Sequence, residues 1–153
     1  IKKGKTMKLK LATATATSIA LLAAHPVLAG ETMTVTYDGS FDDAAFAVES
    51  AIVGQGLVID YVSHVGDMLN RTGQDVGSER MLFKEADIFV FCSATVSREV
   101  MEADPMNIAQ CPYGIFVAET DEGVMVGRRD YPDGAMGKVE ELLDAIIADA
   151  TEG

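Results

Sequence analysis

The segment from Asp87 to Glu119 constrains the fold of this 153-residue chain more than any other part of it. Ile88–Phe91 is a continuous β-prone run, typical of a buried strand. Ser97–Ala103 has the composition of a short helix with Ser97 as its N-cap, and a proline at 105 ends that helix. The next strand is expected at Tyr113–Glu119, directly after a proline that cannot donate to a ladder. The segment therefore predicts a strand, a short helix and a second strand.

Residues 1–29 have the features of a secretory signal peptide. They contain five of the 12 basic residues and none of the 24 acidic ones. A positive region at Met7 precedes an Ala-, Thr- and Leu-rich run, and small residues lead up to Ala29, after which we expect cleavage. The alternative, a membrane anchor, is disfavoured because a His-Pro pair interrupts the run and its length is marginal for a bilayer. We therefore expect a cleaved leader, with residues 1–6 upstream of Met7, and a single domain at 30–153 in the periplasm or the medium.

The strong excess of acidic residues excludes several classes of partner. The domain after the leader holds every acidic residue of the chain but only part of its basic residues. No basic stripe is present to displace counterions, which argues against nucleic-acid binding. Docking onto an anionic membrane is disfavoured for the same reason, and the charge indicates solubility or, less often, attraction of a cationic partner.

Hydrophobic periodicity predicts nine elements in the order β-α-β-α-β-α-β-β-α. The expected strands are 33–37, 57–62, 88–91, 113–119 and 124–129, and the expected helices are 41–52, 63–71, 97–103 and 137–150. Because the chain ends in a hairpin and a helix, the order favours an α+β fold, with a mixed or mostly antiparallel sheet and helices packed against it. Core packing would account for most methionines, namely Met33, Met81, Met101 and Met125.

Several uncommon residues, in order, resemble the "domain of unknown function 302" family, in its secreted proteobacterial branch. The resemblance is carried by Phe91–Arg98, Met101–Ile108, Cys111–Tyr113 and Ile115–Glu119, and it covers about residues 32–130. It implies a compact α+β domain, usually paired as a homodimer, with no agreed enzymatic activity. Many members read Pro-Cys at the start of the later strand, whereas here Cys111 precedes the proline and Tyr113 follows it.

The two cysteines, Cys92 and Cys111, are the first candidates for chemistry. In an oxidising compartment they suggest a disulfide between neighbouring strands. Two free, buried, apolar thiols, or a redox or ligand role, are the alternatives. The spacing is not C-x-x-C, which counts against thioredoxin-type exchange.

His64 and Met68 form the second candidate site. His64 is the only histidine after the leader, and Met68 lies four residues on, on the same helical face. The pair could ligate haem b or copper, whereas covalent haem is excluded because no C-x-x-C-H motif exists. A lone histidine is more often an ordinary polar or cap residue.

Asp104, Pro105 and Asn107 predict a chain reversal in which the polar side chains satisfy backbone groups. The same loop, with Tyr113, could instead wall a ligand pocket beside the cysteines. The adjacent pairs Asp42/Asp43 and Glu140/Glu141 do not face one another on helices, so we interpret them as a helix-terminus charge and a solvated face.

The sequence contains no recognisable catalytic motif, so we favour a non-enzymatic protein over an enzyme. The first hypothesis is an exported, non-enzymatic homodimer with an apolar pocket near Cys92, Pro105 and Tyr113, holding a small molecule or haem. The second is a thiol-based redox or metal-handling protein using Cys92, Cys111 and His64. The third is a structural or adaptor dimer without a ligand.

Overall fold

The computed structural model describes residues 32–152, so the predicted leader lies outside the described residues. The strands are β1 (Thr32–Tyr37), β2 (Val58–Ser63), β3 (Glu85–Cys92), β4 (Tyr113–Thr120) and β5 (Gly123–Arg129). The helices are α1 (Phe41–Gly54), α2 (Val65–Thr72), α3 (Ala94–Ala103) and α4 (Gly137–Glu152), with 3₁₀ segments at Gln74–Val76 and Pro105–Gln110. None of the helices within 32–152 has the length and apolar character that crossing a membrane requires.

The five strands form one sheet in the order β1-β5-β4-β3-β2, and every neighbouring pair is antiparallel. The β4–β5 connection is a tight hairpin, whereas β1 and β2 occupy the two edges and are joined by α1. The α+β prediction and the order of its elements are confirmed.

The helices α1 and α4 pack against each other and against one face of the sheet. Alternate residues of the strands point to that face, as a pleated strand requires. The core between the layers contains Phe89, Phe91, Ile115, Val117 and Val126 from the strands. From the helices it contains Phe41, Val48, Ile52, Val139, Leu143, Ile146 and Ile147. We call this the covered face of the sheet.

Side-chain caps fix the starts of α1 and α3. Ser40 accepts a hydrogen bond from the Asp43 backbone N–H at 3.1 Å, as expected for α1. The prediction for α3 was wrong at its start, because Ser93 and not Ser97 is the N-cap, accepting from the Val96 N–H at 3.3 Å. Ser93 directly follows β3 with extended geometry, so the helix begins as soon as the strand ends.

Gly66 is required by a close approach between α2 and β3. A Cβ at this position would lie 2.5 Å from the backbone nitrogen of Ala86. The glycine, which by propensity weakens the helix, therefore allows α2 to pack against the β3 backbone.

Two groups of residues differ in burial from the sequence prediction. Met81 is 69% exposed in the loop before β3, whereas Met136, directly before α4, is buried. Tyr61 in β2 is exposed, while Tyr113, proposed above as part of a pocket wall, is buried in the core. Periodicity is weak evidence in loops and beside the bulge of β2, between Ile59 and Tyr61, where the alternation shifts.

Candidate functional site

Within residues 32–152, α1 and α4 cover one face of the sheet, and no helix covers the apolar side chains of the second face, which we call the open face. Strand alternation and register place six large apolar residues on it: Val58, Tyr61, Ile88, Val90, Phe116 and Met125. The remaining strand residues that alternation places on the open face have small or hydroxyl side chains. The two exceptions are Cys92 at the end of β3 and Arg129 at the end of β5. No acidic residue of strands β1–β5 falls in this alternation, although Asp60 lies in the bulge of β2.

The carboxylates instead crowd elsewhere on the domain. At the start of β3, burial raises the pKa of Glu85, and the nearby negative charges of Asp42, Glu119, Asp87 and Asp67 raise it further. Apart from Asp60 in the β2 bulge, the open face carries no strand carboxylate, which makes it a local exception in so acidic a domain.

A half-open pocket of about 270 Å³ lies on the open face. Gly114 lies between Ile88, Val90 and Phe116, and its missing side chain leaves the space vacant. A Cβ at Gly114 would meet the Ile88 Cγ2 atom at 3.2 Å. The lining also includes Pro112, Tyr113 and Arg129. The volume equals roughly nine water molecules at about 30 Å³ each, so the pocket suits a small molecule.

Arg129 supplies the only charge of the lining. One of its Nη atoms donates to the Gln110 carbonyl oxygen at 2.7 Å, and its guanidinium carbon lies 4.9 Å from the Tyr131 ring centroid. Within residues 32–152, no carboxylate forms an ion pair with it, in contrast to its neighbour Arg128. These two contacts orient the group while leaving other N–H donors free.

The two cysteines are brought together at the ends of β3 and β4, as the sequence predicted for neighbouring strands. The Cys92 and Cys111 Sγ atoms are 2.8 Å apart, and both residues are partly buried free thiols. Burial, followed by the hydrogen bond with Cys111, raises the pKa of the Cys92 thiol to about 12. Because a thiolate is the nucleophile, a reactive role at neutral pH is disfavoured at Cys92.

His64 and Met68 lie away from the cysteines. Cys92 pairs with Val58 at one end of β2 and His64 follows the other end, so roughly 20 Å of strand separates them. His64 is 63% exposed on its side chain, and its Nδ1 atom lies 2.8 Å from an Asp87 carboxylate oxygen. The structure therefore does not assemble the thiols and the histidine into one site.

The structure offers little for haem or copper. The pocket lining contains no histidine, methionine or cysteine, so it supplies no axial ligand to haem iron. In the described part of the chain, no group of three or more His, Cys, Asp or Glu residues is placed to hold a metal ion. The pocket therefore does not fit haem, and the described residues form no cluster of three or more such ligands for copper.

The loop residues Asp104, Pro105 and Asn107 stabilise the chain reversal after α3. The Asp104 carboxylate accepts from the Met106 N–H at 2.9 Å, and the Asn107 amide donates to the Val100 carbonyl oxygen at 2.8 Å. Pro105 begins the 3₁₀ segment. These residues lie outside the lining of the open-face pocket, whose proline is Pro112.

Sequence reasoning missed an ionic cluster around Arg128 on the covered face. The buried guanidinium pairs with Asp144 at 2.6 Å, Glu140 at 3.0 Å and Asp130 at 3.2 Å. Glu140 also accepts from the Tyr131 N–H, so its assignment to a solvated face was wrong. The cluster ties α4 to the end of β5, and the i,i+4 spacing of Glu140 and Asp144 was the available signal.

The fold and this site define the class of protein: an antiparallel five-stranded α+β domain with one open apolar face. The chain belongs to the family described as Domain of unknown function DUF302, which it matches over residues 32–151. A crystal structure of an uncharacterized conserved DUF302 protein from Bacillus stearothermophilus is similar, with a TM-score of 0.57 and 15% identity. The likeness covers 79% of this chain and 95% of that one, and at this identity it shows the fold alone. No curated protein matches the chain.

Proposed function

We propose that this chain is an exported, non-enzymatic domain that binds a small molecule in the pocket of its open face, and that two copies pair through that face. The observation that carries the proposal is an apolar pocket on a sheet face whose regular strand positions carry no acidic side chain. The residues that could do acid–base or thiol chemistry lie elsewhere or are held in structural contacts.

Pairing of two copies follows from the exposure of the open face. Val58 is 75% exposed and Tyr61 58% exposed, beside the partly buried Ile88 and Phe116. Five strands about 4.8 Å apart and about 20 Å long present roughly 500 Å² in projection, which is below the ~800 Å² per partner of a standard interface and fits a weak dimer. Copies of so acidic a domain repel each other, and this face is where they can approach with least repulsion. A second copy would close the open side of the pocket.

Export and a disulfide complete the proposal. The predicted leader directs the domain to an oxidising compartment, where the adjacent Cys92 and Cys111 thiols lose two protons and two electrons to a disulfide oxidant and form one S–S bond. The raised pKa of Cys92 disfavours the thiolate and so favours the oxidised pair over a catalytic dithiol. The bridge is structural in this proposal.

Intact mass spectrometry of the protein collected from the periplasm of an expressing bacterium tests leader cleavage and the disulfide together. We expect a chain that begins at Gly30 and weighs two protons less than its reduced form. The Cys111→Ser variant, in which no intramolecular bridge can form, is the control for the mass difference. An uncleaved chain would contradict export, and two alkylatable thiols in the non-reduced protein would contradict the bridge.

Filling the pocket tests the binding function. Gly114→Val places a branched side chain between Ile88 and Phe116 and should abolish binding of a small neutral probe, phenylacetamide, because the vacant volume is lost. Saturation-transfer NMR on the purified protein measures the contact, and a thermal melt checks that the variant folds.

Thr36→Val is the control, since it places the same valine side chain on the open face at edge strand β1, outside the pocket lining, by replacing a hydroxyl with a methyl group. We expect it to keep the probe signal. Equal signals in wild type, Gly114→Val and Thr36→Val would show that the pocket is not the binding site, and no signal in the wild type would also contradict the function.

A further inference from the structure

We propose that the pocket selects a small organic anion, a carboxylate carried on a flat apolar body, with Arg129 holding the carboxylate. The inference rests on the proposed ligand-binding function and names the class of ligand. It is carried by the position of a single oriented guanidinium at the edge of an otherwise apolar cavity.

The apolar part of the ligand is set by the lining. Ile88, Val90 and Phe116 offer hydrocarbon and aromatic surface, and the backbone at Gly114 allows a close approach. Phe116 is itself held in place, because its ring lies over Gly127 so closely that a Cβ at Gly127 would be 2.6 Å from the ring. A planar body can therefore stack in a preformed slot without moving the sheet.

The anionic part is set by Arg129. Its contacts with the Gln110 carbonyl oxygen and the Tyr131 ring restrict the guanidinium before any ligand arrives. A guanidinium presents a planar fork that matches a carboxylate with two parallel hydrogen bonds. Because the fork is already oriented, little side-chain entropy is lost on binding.

The surrounding charge makes this position selective. The net charge of the whole chain is −12, which repels anions at long range, yet the registered positions of the open face carry Arg129 and no carboxylate, and Asp60 lies in the bulge of edge strand β2, outside the pocket lining. Beside low-dielectric apolar walls the attraction between a guanidinium and a bound anion is stronger than in water. A cationic ligand would be repelled by the like charge of Arg129. A neutral ligand would form no charge-assisted hydrogen bond with it, and the Arg129 N–H groups would stay hydrogen-bonded to water.

The test compares phenylacetate with phenylacetamide, which has the same shape and no charge. We expect phenylacetate to bind the purified wild-type protein at least about tenfold more tightly, because a charge-assisted hydrogen bond is stronger than a neutral one. In Arg129→Gln the ratio of the two dissociation constants should fall to less than about twofold, because only the charged probe loses a charge-assisted partner. Arg71→Gln, which makes the same change in net charge outside the pocket lining, should keep the preference.

The outcomes distinguish the inference that the pocket selects an anion from the underlying proposal that the pocket binds a small molecule. If both probes bind the wild type equally, or if Arg129→Gln keeps the preference, the anion inference is wrong and the pocket remains a binding site. If neither probe binds, both proposals fall. Phenyl phosphate serves as a third probe, and tighter binding of that dianion than of phenylacetate would overturn the assignment of a carboxylate.

Discussion

Replacing Arg128 by methionine is expected to lower the free energy of unfolding by about 2–3 kcal/mol. The substitution keeps much of the apolar stem but leaves Asp144, Glu140 and Asp130 facing one another without a cation. Removing one partner of a buried pair typically costs about 3–5 kcal/mol. We expect less here because the three carboxylates are 30–47% exposed and can recover part of their hydration. Urea unfolding followed by circular dichroism gives the value.

Arg98→Met is the matched control for this prediction. Arg98 pairs with Glu102 on the exposed surface of α3, where such a pair is worth about 0.5 kcal/mol or less. A loss in Arg128→Met no larger than that in Arg98→Met would mean that the cluster does not stabilise the attachment of α4 to β5.

The order of elements could be predicted because each element has its own local signal. Val139, Leu143 and Ile147 recur at helical spacing and lie in the core, and the turn before Gly123 separates two strands that do pair. The cysteine contact followed from two neighbouring strands whose ends meet. Local periodicity was sufficient to predict the order of elements, and the assumption that β3 and β4 are antiparallel neighbours was sufficient to predict the cysteine contact.

The open face could not be predicted in the same way. A run such as Ile88–Phe91 is apolar on both sides, and periodicity alone cannot tell whether a helix covers the second side. The pocket depends on an absent side chain at Gly114, which the sequence alone cannot distinguish from a turn or bulge glycine. Arg128 and Arg129 are adjacent and chemically identical, yet alternation sends one to the covered face and the other to the open face.

The ionic cluster and the burial of Tyr113 depend on tertiary packing. The Tyr113 hydroxyl lies 3.0 Å from the Ser97 hydroxyl oxygen, and its ring meets the Tyr131 ring edge-on at a centroid distance of 6.0 Å. Ser97, interpreted from the sequence as a helix cap, is therefore a partner for a buried phenol. The assignment failed because the same hydroxyl can serve a local cap or a distant side chain.

Introducing a carboxylate at Tyr61 is expected to weaken the proposed dimer at least about 100-fold. In a face-to-face pair, Tyr61→Glu on both copies would place two negative charges in an apolar interface, and an unpaired carboxylate is costly to desolvate. Tyr61 is 58% exposed within one chain, so folding of the single chain should be little affected.

Phe46→Glu is the matched control, because Phe46 is 71% exposed on α1, on the side of the covered face, and should leave the dimer intact. Analytical ultracentrifugation over a range of concentrations measures both dissociation constants. A wild type that sediments as a monomer throughout, or a Tyr61→Glu dimer as tight as that of Phe46→Glu, would rule out the open face as the interface.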